Sequence, residues 1–355
     1  MNRRLQARAR TITWGAIPVL AMTFLASCPT VPFTSIPLTV PYAAEGPGPT
    51  YNTLADYEGK KIVSISGEEE DKTTGNLNMT TVVVRTQLTL TQALTRWLLH
   101  DDTLVPIEQI FPPNMSQDEV QQHNQTEFTQ SESAATLAAM SYLHRPTMVE
   151  IIGVLDDAAA HGIVRPGQRI VAVDSAPISA PGQVRELVQN KKPGDSIVLD
   201  LVDAHGAKES KTVTLGEHPE TKKALLGITM GAVPADNLKV EYNLEDIGGP
   251  SAGLMFTLAV IDKLSPGELT GGKFIAGTGT IAEDGTVGPI GGIQHKVAAA
   301  AEAGAEVFLS PAANCKEAML KQHDGLTVIK VNNLADAVTQ LENYQAGREV
   351  TTCQK

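Results

Sequence analysis

The chain has 355 residues, enough for two or three domains, and its 42% hydrophobic content is enough to bury a core. The formal net charge is −12, and this acidic balance argues against a general affinity for nucleic acid or anionic lipid. Aromatic residues make up only 4% of the sequence, so stacking platforms for bases or sugars are not expected to dominate.

The N-terminal segment has the layout of an export signal. An apolar stretch at residues 12–26 follows four arginines: Arg3, Arg4, Arg8 and Arg10. Positive charge before an apolar stretch predicts that the N-terminus stays inside and that the rest of the chain is exported. We therefore expect a signal anchor or a signal peptide within residues 1–42, and a body that is tethered to the cell membrane outside the cytoplasm.

The three cysteines bear on the same question. Leu25-Ala26-Ser27-Cys28 resembles a bacterial lipobox, in which Cys28 would be lipidated and become the N-terminal residue. Cys315 and Cys353 could form a disulfide in an oxidising compartment or remain two free thiols. No Cys/His cluster has zinc spacing, so neither a metal nor another cofactor is expected.

The next segments contain a turn-rich stretch and then regular elements. Pro41–Pro49 is rich in proline and glycine and predicts a linker, which we extend to residues 43–57. Residue composition then predicts two strands and two helices: Ile62–Ile65, Thr80–Val84, Leu90–Leu99 and the alanine-rich Ser131–Leu143.

Residues 146–216 predict a compact unit of strands and helices. Its predicted strands are Val149–Val154, Arg169–Val173 and Ser196–Val202, and its predicted helices are Asp157–His161 and Pro181–Gln189. This order, with GIVRPGQRIVAVD and then KPGDSIVLDL, resembles a PDZ domain of the bacterial protease-associated type. The resemblance implies that an extended peptide binds by strand addition to a sheet edge.

The PDZ resemblance has two departures. Gln168 stands where an acidic residue usually follows the turn glycine. No glycine–hydrophobic–glycine loop precedes the first strand, so the sequence does not assign a carboxylate-binding loop. A PDZ fold that serves only as a spacer stays open as the other interpretation.

Ser251 lies in a glycine-rich turn before the predicted apolar helix Leu254–Leu264. Unpaired backbone N–H groups gather at a helix N-terminus and favour negative charge, so they can form an oxyanion hole there. A serine needs a base to become nucleophilic. Lys296 is the candidate, because it lies early in a second alanine-rich helix, where burial and the helix N-terminus favour a neutral amine.

These residues resemble the Lon protease family. The family's serine lies in a G-P-S-A-G segment, which matches Gly249–Gly253, and its lysine follows a P-I-G-G segment, which matches Pro289–Gly292. Thr278-Gly279 matches the threonine–glycine pair before that turn. The resemblance implies these roles: Ser251 as nucleophile, Lys296 as general base, Thr278 as the residue that orients the lysine, and Gly249 and Ala252 as support for the oxyanion.

The resemblance extends beyond the serine and the lysine. Ser131–Leu143 is similar to the E-S-x-x-A-A helix near the start of a Lon protease domain, and Leu238–Tyr242 is similar to the strand before the serine loop. Gly248 stands where soluble Lon enzymes carry an acidic residue, which leaves the role of Asp246 open. The whole combination is similar to the secreted PDZ-containing Lon-like proteases of Gram-positive bacteria.

We therefore expect an α+β fold with a PDZ domain inserted in a Lon-type proteolytic domain. The expected order is anchor 1–42, linker 43–57, first protease part 58–145, PDZ domain 146–219, catalytic part 220–345 and tail 346–355. The expected activity is that of an ATP-independent serine endopeptidase that cleaves extracytoplasmic proteins. Its partners would be protein or peptide substrates, and Lon-type domains often form rings, which leaves a homo-oligomer open.

Other functions are less well supported by the sequence. G-x-S-x-G also occurs in α/β-hydrolases, but no oxyanion motif of that fold lies upstream of Ser251. Gly267–Phe274 nearly matches a P-loop, but Phe274 replaces the residue that would hold magnesium. His295 is expected to face solvent. The non-enzymatic interpretation is a tethered PDZ scaffold with an inactive protease fold.

Overall fold

In this computed structural model, the described residues are 16, 18, 20–111, 115–219, 221–236, 238–244 and 247–354. They show a mixed α+β fold, as expected, in two compact units: Met1–Pro49 with Thr81–Val120, and Thr50–Thr80 with Gln121–Lys355. Of the predicted N-terminal apolar stretch at residues 12–26, residues 12–15, 17 and 19 lie outside the described residues, and residues 20–26 are helical. Within the described ones, no helix combines the length and apolar character needed to span a bilayer.

The longer strands are β1 Tyr42–Asn52, β2 Val63–Ser66, β3 Asn76–Arg85, β4 Thr103–Pro106, β5 Thr147–Val154, β6 Arg169–Val173, β7 Ser196–Val202, β8 Lys208–Thr214, β9 Ile228–Pro234, β10 Lys239–Tyr242, β11 Phe274–Gly277, β12 Val307–Pro311 and β13 Thr327–Val331. The longer helices are α1 Leu90–Leu99, α2 Gln117–Tyr142, α3 Pro181–Gln189, α4 Gly253–Leu264, α5 Ile293–Glu302 and α6 Leu334–Gln345. Shorter elements include the strand pairs Gly216–Glu217 with Ala224–Leu225 and Thr280–Ile281 with Val287–Gly288.

In the first unit, the linker prediction for residues 43–57 is wrong, because much of that segment is strand β1. Tyr42 to Glu45 pair antiparallel with β4, and the methyl groups of Ala43 and Ala44 are fully buried. Glycine composition misled the prediction: Gly46 packs against the Asp102 carboxylate and Gly48 against Thr81, where a larger side chain would clash. Glycine inside a strand often marks such a close approach.

The second unit contains parallel strands. Residues 76–79 of β3 pair with β11, β11 pairs with β12, and β12 pairs with β13, all in parallel. All five residues of β12 are buried, as the interior strands of a parallel sheet require. Helix α4 is buried from Gly253 to Lys263 and supplies Phe256 to the largest core cluster.

The residues predicted as a PDZ unit, 146–219, supply four strands of an antiparallel sheet with the order β8-β7-β6-β5-β9. The fifth strand, β9, comes from residues 228–234, which the sequence assigned to the catalytic part, so the sheet extends past the predicted boundary at residue 219. The predicted strands and the helix Pro181–Gln189 are confirmed, and they enclose a core that includes Ile151, Val184 and Leu199. The predicted helix at Asp157–His161 is wrong, because the chain forms turns there. Asp157 has φ +35°, which is incompatible with a right-handed helix.

The C-terminal residues 346–354 do not form a free tail. Lys330 N–H in β13 donates to the Thr351 carbonyl at 2.9 Å, and Cys353 is bonded to Cys315 across 38 residues of sequence. Of the two interpretations for these cysteines, the structure has the disulfide.

Candidate active site

The turn before α4 fixes the position of Ser251. Gly249 has φ +83°, a left-handed conformation that favours glycine, and its N–H donates to the Asn124 carbonyl at 2.9 Å. The Ser131 hydroxyl on α2 donates to the Pro250 carbonyl at 3.0 Å. Helix α2 therefore holds both residues that precede the serine.

Gly253, the first residue of α4, explains the glycine after Ser251-Ala252. A methyl group at this position would lie 2.7 Å from Cγ2 of Ile281 and 2.8 Å from Oγ of Ser131. Both distances are shorter than van der Waals contact. The small residue lets α4 begin directly beside α2 and beside the strand that contains Ile281.

The segment before α5 positions Lys296. Gly292 caps the helix in a left-handed conformation with φ +65°. The side-chain amide of Asn314 accepts from the Ile290 N–H and donates to the Ile290 carbonyl, each at 2.9 Å. Lys296 then lies in the first turn of α5, where only 3% of the residue is exposed.

The structure brings Ser251, Lys296 and Thr278 together. The Lys296 Nζ lies 2.7 Å from Ser251 Oγ and 3.1 Å from Thr278 Oγ1. The Thr278 hydroxyl donates to the Ser251 carbonyl at 3.1 Å, and Thr278 is fully buried. The threonine thus contacts both the amine and the main chain of the serine.

Backbone donors also lie beside Ser251. In the described part of the chain, the N–H groups of Ser251 and Ala252 donate to no protein acceptor. The N–H of Gly249 already donates to the Asn124 carbonyl and is not available to an oxyanion in this conformation. Gly249 instead forms the turn before the serine. Unsatisfied N–H groups at the start of a helix are suited to a developing oxyanion.

Sequence reasoning missed some residues of the site and misjudged one. Ser131 and Asn314 were not predicted as site residues, because their contacts join segments more than 20 residues apart. His295 was predicted to face solvent, which is wrong: it is 4% exposed on the inner side of α5. Asp246 lies outside the described residues.

A groove of about 350 Å³ lies beside the residue that precedes the nucleophile candidate. Its walls come from α2, from α3 and from the loop after Thr280–Ile281, and they include Pro250, Arg185 and Ala282. The Gly182 N–H in the first turn of α3 donates to the Glu283 carboxylate at 3.1 Å. This bond ties α3 to the loop beside Ser251.

Comparison with known proteins shows a similarity over the C-terminal part of the chain. Residues 229–342 match the model of the Lon protease (S16) C-terminal proteolytic domain. The chain is 32% identical over 116 residues to Lon protease 2 of Bacillus subtilis, covering 32% of this chain and 20% of that protein. It is 37% identical over 135 residues to the Lon protease of Phenylobacterium zucineum, covering 38% of this chain and 17% of that protein.

These matches confirm the resemblance to Lon-type proteases and support a serine protease function. They span a fifth or less of the length of those two relatives. Among solved structures, the PDZ domain of an SdrC-like protein from Listeria monocytogenes is similar at 21% identity and a TM-score of 0.22, covering 23% of this chain and 85% of that chain.

Proposed function

We propose that this protein is a serine endopeptidase in which Ser251 is the nucleophile and Lys296 the general base. The observation that carries the proposal is the 2.7 Å separation between Lys296 Nζ and Ser251 Oγ. Lys296 is buried, so its amine is shielded from solvent. A base must lie within hydrogen-bond reach of the proton it removes. Removal of water from around an amine disfavours its charged form. The neutral amine has a lone pair that can accept the proton of the Ser251 hydroxyl.

The reaction proceeds in two steps. Ser251 Oγ forms a bond to the scissile carbonyl carbon while Lys296 Nζ takes the hydroxyl proton. The C–N bond then breaks, and Lys296 returns that proton to the leaving amine. In the second step Lys296 takes a proton from water, the resulting hydroxide attacks the acyl carbon, and the proton returns to Ser251 as the free acid leaves.

Thr278 and the backbone complete the proposed site. Thr278 Oγ1 accepts from the lysine amine and donates to the Ser251 carbonyl, which favours one orientation of the lysine. The free N–H groups of Ser251 and Ala252 would stabilise the oxyanion of the tetrahedral intermediate. Gly249 would contribute the turn that sets their direction.

The proposal includes independence from ATP. Gly267–Phe274 resembles a P-loop in sequence, but Phe274 begins strand β11 instead of a phosphate-binding helix. A P-loop needs a helix N-terminus at this point to hold the phosphates.

The proposal also places the protein outside the cytoplasm, tethered through its N-terminal segment. The arginines before the apolar stretch at residues 12–26 favour export of the body. The Cys315–Cys353 disulfide supports an oxidising compartment. Residues 146–219, together with strand β9, would bind a peptide of a substrate or regulator in the manner of a PDZ domain.

Replacement of Ser251 by alanine tests the proposal. We expect Ser251→Ala to lower the hydrolysis of unfolded casein by at least roughly 10³-fold, because no other group would form the acyl-enzyme. Ser141→Ala, at an exposed serine near the end of α2, is the matched control and keeps full activity. Circular dichroism would show that both variants fold. Undiminished hydrolysis by Ser251→Ala contradicts the assignment and leaves a peptide-binding scaffold.

A further inference from the structure

A second groove, of about 430 Å³, lies between helix α3 and the residues that lead into strand β9. Its lining includes the apolar side chains of Val184 and Val188 on α3 and of Leu226, Ile228 and Met230 opposite them. An extended chain with an apolar end would bury its side chains against this surface.

One side of this groove is a sheet edge. Within the described part of the chain, strand β9 is the last strand of its sheet, and β5 is its single pairing partner. Farther along β9, the Ser133 hydroxyl on α2 accepts from the Ala232 N–H at 2.7 Å. Helix α2 therefore covers the edge from Ala232 onward, and residues 228–230 are the part of the edge that can accept an added strand.

The end of the groove near the start of β9 is suited to a carboxylate. Among the described residues, the N–H groups of Leu226 and Gly227 donate to no acceptor, and Gly227 has φ +77°. Lys223, three residues before Leu226, supplies a basic side chain at this end, and the described lining of the groove contains no carboxylate, although the chain as a whole has a net charge of −12. Backbone N–H groups with nearby cations recognise a chain terminus.

The other end of the groove meets the groove beside the serine. Gln130 on α2 and Arg185 on α3 line both. From these two residues the groove beside the serine continues to Ser131 and Pro250, and Pro250 directly precedes Ser251. The bond between the Gly182 N–H and Glu283 holds α3 in place along this path.

We propose that the two grooves form one continuous substrate channel, so that the polypeptide whose free C-terminus binds beside β9 is the same chain that is cut at Ser251. This inference rests on the proposed function. The C-terminal carboxylate binds at Leu226–Gly227, and the preceding residues run antiparallel along Ile228–Met230. Helix α2 then turns the chain toward Pro250.

This geometry fixes the distance between the chain end and the cleaved bond. Helix α3 has nine residues and is about 13 Å long, a length that an extended chain covers in about four residues. The groove beside Pro250 adds several more. Cleavage therefore falls on the order of six to eight residues from the C-terminus.

Two peptide comparisons test the channel. An unstructured peptide of about 20 residues with an apolar C-terminus is prepared as the free acid and as the amide, and kcat/KM is measured from quenched fluorescence. We expect the acid to be cleaved at least tenfold more efficiently. In a third peptide, four Gly/Ser residues are inserted between the cleaved bond and the C-terminus. Because the channel fixes the distance from the C-terminus, cleavage should move to a new bond. We therefore expect the C-terminal fragment, identified by mass spectrometry, to keep its length.

The outcomes separate this inference from the proposed function. The channel is contradicted if the acid and the amide are cleaved equally, at the same bond in every peptide whether or not the insertion is present. The protease assignment would still stand. Absence of cleavage in every peptide, together with no labelling of Ser251 by a fluorophosphonate, counts against the protease assignment and the channel together.

A charge variant adds a check that does not depend on peptide design. Lys223→Glu should reduce the preference for the free acid over the amide to less than twofold, because it brings a negative charge to the carboxylate end of the groove. Lys208→Glu, at an exposed position of β8 outside both grooves, is the control and should keep the full preference. A preference unchanged by Lys223→Glu contradicts the assigned position of the chain end.

Discussion

At the scale of single residues, the site depends on a buried amine between two hydroxyl groups. Thr278 is fully buried and contacts both Lys296 and the Ser251 carbonyl. A hydroxyl in this position favours a lysine conformation in which Nζ lies near Ser251 Oγ. In the proposed mechanism, Thr278 therefore acts indirectly, through the position of the amine.

Replacement of Thr278 by valine tests this positioning role. We expect kcat to fall by about 10- to 100-fold with little change in KM, because a small displacement of the base slows proton transfer without altering peptide binding. Thr278→Ser keeps the hydroxyl and should restore most of the rate. Equal activity of the valine and serine variants would show that the hydroxyl has no such role.

Glu132, the neighbour of Ser131 on α2, predicts a pH-dependent stability. Burial raises the pKa of its carboxyl from 4.5 to about 7. Because the folded-state pKa is the higher one, ionisation of Glu132 is disfavoured in the folded state. Ionisation of Glu132 therefore lowers the free energy of unfolding. This loss is absent below about pH 4.5, grows up to about pH 7 and stays constant above it, at about 3 kcal/mol at most.

We expect Glu132→Gln to abolish this contribution. Urea unfolding at pH 5 and pH 8 should show that the free energy of unfolding of the variant falls less with rising pH than that of the wild type. Glu186→Gln, at an exposed position of α3, should keep the wild-type pH dependence. Parallel pH profiles for Glu132→Gln and the wild type would refute the raised pKa.

The sequence pointed to the candidate catalytic residues, which remain a prediction, but not to the residues that position them. Ser251, Lys296 and Thr278 lie in short motifs that can be read locally. Ser131 acts through a hydrogen bond to Pro250, 119 residues away, which no local pattern encodes. His295 was assigned to the wrong face, because its helix is buried over most of its circumference.

At the scale of elements, close packing of α4 against its neighbours determines where Ser251 lies. The first residue of α4 has space only for a hydrogen atom between Ser131 and Ile281. A displacement of α4 would move Ser251 relative to Lys296, which lies on a different helix. If Ser251 and Lys296 act as proposed, Gly253 affects activity as well as stability.

We expect Gly253→Ala to lower the free energy of unfolding by about 1–3 kcal/mol and to reduce hydrolysis as well, because the added methyl group overpacks the contact. Gly153→Ala is the control, since its new methyl group would meet Thr229 at an ordinary 3.9 Å. Denaturant unfolding and casein hydrolysis measure the two effects. Wild-type stability and activity in Gly253→Ala would disprove the tight contact.

Elements with one clear pattern were predicted from the sequence. Apolar α4 and the alternating strands of the inserted sheet follow from periodicity. Strand β1 was missed because its glycines and prolines resemble a linker, whereas in the structure they permit close contacts with Asp102 and Thr81. Glycine and proline are common in linkers, and glycine is also found where strands pack closely, so composition alone cannot distinguish a linker from such a strand.

At the scale of the whole molecule, the disulfide ties the C-terminal residues to the segment beside α5. Cys315 and Cys353 both belong to a core cluster that also contains Ile293 and Val297. The bond closes a loop of 38 residues next to the helix that carries Lys296. The sequence offered the pairing as one of two states, since spacing alone cannot show which cysteines meet.

We expect Cys353→Ser to lower the free energy of unfolding by about 3–4 kcal/mol, the value expected from the entropy of closing a loop of this length. Cys28→Ser is the matched control, because Cys28 is a free thiol. Guanidinium unfolding with and without dithiothreitol gives the comparison. A wild type insensitive to dithiothreitol and equal in stability to Cys353→Ser would show that the bond contributes nothing.

If Lys296 activates Ser251, the rate at which Ser251 reacts with an electrophilic probe depends on this lysine. A fluorophosphonate probe is reacted with the wild type, with Lys296→Met and with Lys316→Met, an exposed control, and the adduct is located by mass spectrometry. We expect rapid modification at Ser251 in the wild type and the control, and a rate at least about 10²-fold lower in Lys296→Met. Equal rates in all three proteins, or no modification in any of them, would contradict it.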